Sequence, residues 1–151
     1  MSSRAAPLRV SHVGICVSDW KRSLRFYHDV LGFRYVHELE LSGEPSSTLL
    51  QLADVKFRAV YLEREGVRIE LLHYERPEPV RGPIPRPMNQ LGLTHLSLRV
   101  KDLDAVLQEF AEADVTVLEN TRIDVPQVNA KAVFIADPDG TLIELVQQPG
   151  D

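Results

Sequence analysis

One cysteine, Cys16, is all that the 151 residues carry. That excludes an intrachain disulfide and any multi-cysteine zinc site, and it fits a reducing compartment. Concentrated positive charge is also missing. The net charge is −5 and the lysines and arginines are scattered, so no basic face exists for a phosphate backbone and nucleic acid is not expected as a partner. No apolar run approaches the roughly 20 residues that span a bilayer. Met1-Ser2-Ser3-Arg4-Ala5-Ala6-Pro7 has no hydrophobic centre of a secretory signal, so no membrane association is expected and the cytoplasm is the default location. What remains is a chain of ordinary domain size, 44% hydrophobic and 26% charged, with enough apolar residues to bury a sizeable core.

The chain says the same thing twice. Val10-Ser11-His12-Val13-Gly14-Ile15-Cys16-Val17 is echoed by Leu93-Thr94-His95-Leu96-Ser97-Leu98-Arg99-Val100. Each run puts a histidine at the entrance of an apolar strand, then crosses an acidic residue (Asp19, Asp102) into helical spacing. A second echo closes each half: Gly66-Val67-Arg68-Ile69-Glu70-Leu71-Leu72 and Gly140-Thr141-Leu142-Ile143-Glu144-Leu145-Val146. Two copies of one unit follow, each opening with a strand histidine and closing with a strand glutamate.

In the first unit, Val13, Ile15 and Val17 alternate with His12, Gly14 and Cys16, which gives a core face and a floor. Ser18 or Asp19 can cap a helix with apolar positions Trp20, Leu24, Tyr27 and Leu31, and Gly32 is placed to end it. Strands are expected over Phe33 to Glu40, near Leu49 to Leu52, over Arg58 to Glu63, and around Glu70 after Arg64-Glu65-Gly66. Five of the ten prolines fall in residues 75–92; such a segment holds no regular element and reads as a stiff linker. In the second unit Asp102 can cap a helix carrying Leu103, Val106, Leu107 and Phe110. Strands are expected from Val115 to Glu119, Ala132 to Ala136 and Leu142 to Gln147, with Asp137-Pro138-Asp139-Gly140 as the turn before the last.

Strand parity carries the chemistry. His12 and His95 lie opposite the aliphatic residues of their strands, and Glu70 and Glu144 lie opposite Ile69/Leu71 and Ile143/Leu145, so all four leave the helix-covered face. Two carboxylates among aliphatic residues are costly unless paired, protonated or bound to a cation. A divalent ion would compensate both, and two imidazoles with two carboxylates suit Zn, Ni, Co, Mn or Fe. A lone strand histidine is most often structural; four residues at matching points of a repeat are a stronger signal. His28 and His37 have no counterpart in the second unit and read as surface residues, while His73 has the wrong parity to join Glu70. Cys16 shares the floor with His12 and reads as a small buried thiol. Arg68 and Arg99 share the ligand parity and can meet an anionic group or simply be solvated.

With these residues in hand, the chain resembles the vicinal oxygen chelate superfamily, which includes glyoxalase I, methylmalonyl-CoA epimerase, extradiol dioxygenases and the fosfomycin and bleomycin resistance proteins. The carriers are the His12 to Val17 strand, Ser23-Leu24-Arg25-Phe26-Tyr27 with Val30-Leu31-Gly32-Phe33, His95, and the run from Asp137 to Leu145. The resemblance spans about Leu8 to Gln147 and implies a single α+β domain. In it two βαβββ modules, residues 8–74 and 93–148, form a curved mixed-sheet cup around one metal with helices outside, often as a homodimer. The ligand order His12, Glu70, His95, Glu144 is similar to bacterial glyoxalase I; epimerases usually carry glutamine in the second place. Bacterial glyoxalase I has an arginine four residues after its first histidine for the glutathione carboxylate, and Cys16 stands there, which argues against glutathione. The expected activity is that of a metal-dependent lyase or isomerase. A small substrate chelates the metal through vicinal oxygens and reacts through an enediolate, with Glu144 or Glu70 as base. The alternatives are a ring-cleaving dioxygenase with Fe(II) on His12, His95 and Glu144, or a resistance protein that sequesters a ligand without chemistry.

Overall fold

Asp19 sets the first crossing from strand to helix. Its carboxylate accepts the Arg22 N–H at 3.0 Å, closing the first turn of α1 (Trp20–Leu24) just after β1 (Val13–Cys16). In the computed structural model, which describes residues 8–150, α1 runs on as a π-helical segment, Arg25–Val30. The wider π turn brings Phe26 as well as Tyr27 into the core, where an α-helical period places Tyr27 alone. Gly32 ends the segment at φ +73°, its N–H donating to the His28 carbonyl at 3.1 Å; only glycine adopts this backbone freely. The Met1–Pro7 leader lies outside the described residues.

The first of two compact units, Met1–Pro79, continues with β2 (Arg34–Ser42), a short helix α2 (Ser46–Leu50), β3 (Lys56–Arg64) and β4 (Val67–Arg76). Its sheet order is β1-β4-β3-β2, with β1 parallel to β4 and the other pairs antiparallel. The strand expected near Leu49 to Leu52 is instead α2 and its exit. The Glu44 carboxylate accepts both the Thr48 N–H and hydroxyl, a local bond that favours a helical turn over a strand, and Gln51 leaves it at φ +55°. Val55, hard to place from sequence, is fully buried beside Phe57 and Ala59, with Leu50, Leu52, Leu72 and Tyr74 packed around them. By alternation these side chains share the face of Glu70 and Tyr61, so α2 and its exit close over one end of the floor. The opposite face buries Val60, Leu62, Ile69 and Leu71. Val13 has core-face parity yet is 40% exposed, because β1 is an edge strand.

The second unit, Val80–Asp151, holds β5 (Leu96–Arg99), α3 (Leu103–Glu112), β6 (Thr116–Val125), a single 3₁₀ turn at Pro126–Val128, β7 (Ala130–Ala136) and β8 (Leu142–Gln147). Its order, β5-β8-β7-β6, repeats the first. Asp102 caps α3 by accepting the Ala105 N–H at 3.1 Å, the same device as Asp19. β6 runs past its expected end at Glu119, with an irregularity between Leu118 and Ile123. In the turn before β8, Asp137 is buried, and one of its oxygens accepts the N–H groups of Asp139 at 2.9 Å and Thr141 at 2.8 Å. Ile143 and Leu145 are buried on β8, so Glu144 between them leaves by the other face. The two-module α+β fold expected from the repeat is the fold observed. No helix among the described residues is long and apolar enough to cross a membrane.

Candidate metal centre

Parallel pairing of β1 with β4 sets Gly14 opposite Glu70, and that of β5 with β8 sets Ser97 opposite Glu144. A histidine two residues before each of these positions then reaches the glutamate diagonally. In the first unit His12 Nε2 stands 2.9 Å from Glu70 Oε2. In the second, His95 Nε2 stands 3.6 Å from Glu144 Oε2. Both units thus bring together the histidine and glutamate that parity put on one face.

The far side of each imidazole is held alike. Ser11 Oγ is 2.8 Å from His12 Nδ1, and Thr94 Oγ1 is 2.8 Å from His95 Nδ1. A hydroxyl on Nδ1 fixes the ring and turns Nε2 toward the glutamate, as the outer partner of a ligating histidine does. An aromatic ring stands nearly perpendicular to each imidazole, Tyr61 at 5.4 Å from His12 and Phe134 at 5.3 Å from His95. The donor set of each pair, an imidazole nitrogen and a carboxylate oxygen on a half-buried strand face, fits a borderline divalent ion. Among the described residues no group of three or more His, Cys, Asp or Glu is placed to hold a metal ion; what each unit shows is one histidine beside one glutamate.

Tyr61 is a site residue that sequence reading missed. It lies across from Glu70 on β3 and donates its hydroxyl to Glu70 Oε1 at 2.7 Å. Burial, then the hydrogen bond to Glu70 and its negative charge, push the phenol up to about 12, so it stays a donor at neutral pH. His37, expected to be a surface residue, is exposed but stacks on Tyr61 at 4.5 Å with the planes 16° apart. At the helix end His28 Nδ1 donates to the Phe33 carbonyl at 2.6 Å. His73 contacts the Val17 carbonyl at 3.3 Å. Arg68 is paired with Glu63 at 3.0 Å, and Arg99 donates to Gln148 at 3.2 Å. Cys16 is exposed, not buried as expected. A cavity of about 290 Å³ in the second unit lies between Arg81, Ile84 and Pro85 and the 137–140 turn; neither His95 nor Glu144 lines it.

Repeated strand–helix–three-strand modules, each presenting a His–Glu pair, define a two-module α+β class of protein. The match of residues 9–145 to the Glyoxalase/Bleomycin resistance protein/Dioxygenase superfamily model is explicit, and the chain belongs to that superfamily. The Escherichia coli K12 protein YaeR, itself uncharacterized, is 31% identical over 140 residues, covering 93% of this chain and 96% of YaeR. A glyoxalase family protein from Bacillus cereus has the same fold, with a TM-score of 0.84 at 18% identity over 99% of this chain and all of that one. The trypanothione-dependent glyoxalase I of Leishmania major superposes at a TM-score of 0.66 and 21% identity, covering 93% and 87% of the two chains.

Proposed function

We propose that His12, Glu70, His95 and Glu144 together hold one divalent ion, of the Zn, Ni, Co, Mn or Fe group. On this reading the protein is a lyase or isomerase of the glyoxalase or epimerase kind, acting on a small substrate with two vicinal oxygens. The observation that carries it is the doubled arrangement: the same imidazole–carboxylate pair, with the same hydroxyl behind Nδ1, in both units. Superfamily membership supports the small-molecule, metal-dependent part of it.

An ion bound by the four would supply Lewis acidity, stabilising negative charge on substrate oxygen as a proton leaves the neighbouring carbon. The chain's own residues do the rest. Ser11 and Thr94 orient the imidazoles. Tyr61 and Phe134 pack against them. Glu144, 30% exposed at its side chain against 13% for Glu70, is the carboxylate with freedom to take the proton and return it, and Glu70 is the one held in place. Glutathione is not proposed as cosubstrate, since Cys16 stands where the resembling enzymes use arginine.

The test is proton exchange. Protein loaded with Ni, Co or Zn and offered hemithioacetals or acyl-CoA esters in deuterated water is expected to label the substrate carbon. Glu144→Gln is expected to lower that labelling by about 10²-fold or more with an unchanged circular dichroism spectrum. Oxygen uptake with catechols and no labelling would replace this reading with the Fe(II) dioxygenase on His12, His95 and Glu144. Failure to bind any ion would favour a non-catalytic ligand-binding protein.

A further inference from the structure

The two half-sites differ in one exchanged pair of residues. Glu70 has Tyr61 on its antiparallel neighbour and Gly14 on its parallel one. Glu144 has Phe134 and Ser97 at those two places. Each carboxylate therefore receives one hydroxyl, from opposite sides: Tyr61 donates to Glu70 at 2.7 Å, and Ser97 to Glu144 at 2.7 Å. The two tethers are unequal in stiffness. The Tyr61 ring stacks on His37 and meets the His12 ring at right angles, and these two contacts restrict where its hydroxyl can go. Ser97 turns about a single bond on an exposed strand position.

We propose that Tyr61, braced by His37, is the positioning residue that holds the Glu70 carboxylate in its ion-binding orientation. This rests on the metal-holding role proposed above. His37 thereby acquires a role through its stacking, without touching the ion, and the first half-site becomes the rigid one. Outer partners of this kind usually set metal affinity by a factor of 10 to 100.

Gly14 provides a rescue. A β-carbon built there meets Leu72 Cδ1 at 3.4 Å and Glu70 Oε2 at 3.9 Å, ordinary contacts that place a serine hydroxyl, one bond further out, within reach of Glu70, as Ser97 reaches Glu144. The experiment is titration of the full chain with Co(II) against a competing chelator, reading affinity and the visible Co(II) spectrum, with melting in EDTA alongside. Tyr61→Phe, which keeps the ring stack, is expected to weaken Co(II) binding about tenfold or more and to shift the spectrum. Adding Gly14→Ser to Tyr61→Phe is expected to recover most of the affinity. Equal affinity for Tyr61→Phe and the unaltered chain overturns the positioning role and leaves the metal centre standing. A loss that Gly14→Ser does not recover, accompanied by a lower melting temperature in EDTA, makes Tyr61 a stability residue and overturns it too. An unaltered chain that takes up no Co(II) overturns the metal centre itself, and this role with it.

Discussion

At the scale of single residues, the site is a matter of which atoms are already spoken for. A partner on one ring nitrogen of a histidine fixes which nitrogen is turned to an ion, and here Ser11 and Thr94 engage Nδ1 in both units. Thr94→Val keeps the shape and removes the hydroxyl. It is expected to lower metal affinity about 10-fold while leaving the melting temperature in EDTA within a degree or two of the parent's, as measured by chelator competition and calorimetry. The pairing of His12 with Glu70 and of His95 with Glu144 was legible in the sequence because parity along a strand needs no knowledge of its neighbours. Tyr61 was not, because its role depends on which residue of β3 lies beside Glu70. That register is set by the Arg64-Glu65-Gly66 turn, where Glu65 and Gly66 both take positive φ. His37 is the surface residue expected, but its stack on Tyr61 was not legible for the same reason, since that partner sits on a different strand.

At the scale of elements, local signals decided most of the fold and failed where two of them competed. Asp19 and Asp102 announced α1 and α3, and both cap as read. Leu49, Leu50 and Leu52 looked like a short strand; the Glu44 side chain, reaching forward to Thr48, turns that stretch into α2. An apolar run of this length carries no period of its own, so the capping bond wins. α3 is fastened to the sheet by charge as well as by Leu103 and Phe110. Asp104 meets Lys131 at 2.6 Å and Arg122 at 2.7 Å, and these two, Lys131 foremost, hold its carboxyl below the usual value of 3.8. A carboxylate lowered in the folded state stabilises fully above its unfolded value, and that contribution fades as pH falls through the folded value. Asp104→Asn is therefore expected to unfold at lower urea than the parent at pH 7. The two midpoints should converge as pH falls below 3.8 and through the lowered folded value, where the Asp104 charge is lost. A constant difference across that range would mean that the side chain acts by shape and not by charge.

For the whole molecule, the repeat is the organising fact. Two units with the same strand order each bury an aliphatic face, Ile69 and Leu71 in one and Ile143 and Leu145 in the other, and each turns one His–Glu pair the other way. Apolar residues leading into the first strand of each unit, Leu8 and Val10, Leu91 and Leu93, are all more than 80% exposed. Large exposed apolar side chains near a site favour association, and the chain is expected to sediment at twice its 17.1 kDa mass as a homodimer. A monomer at micromolar concentration would contradict this. The central claim, that two pairs from two units serve one ion, is tested most directly by metal stoichiometry. Elemental analysis after loading with Ni or Zn is expected to give one ion per chain, lost in full from His12→Ala and equally from His95→Ala. Two ions per chain, with each variant losing only its own, would show two independent half-sites and contradict the account.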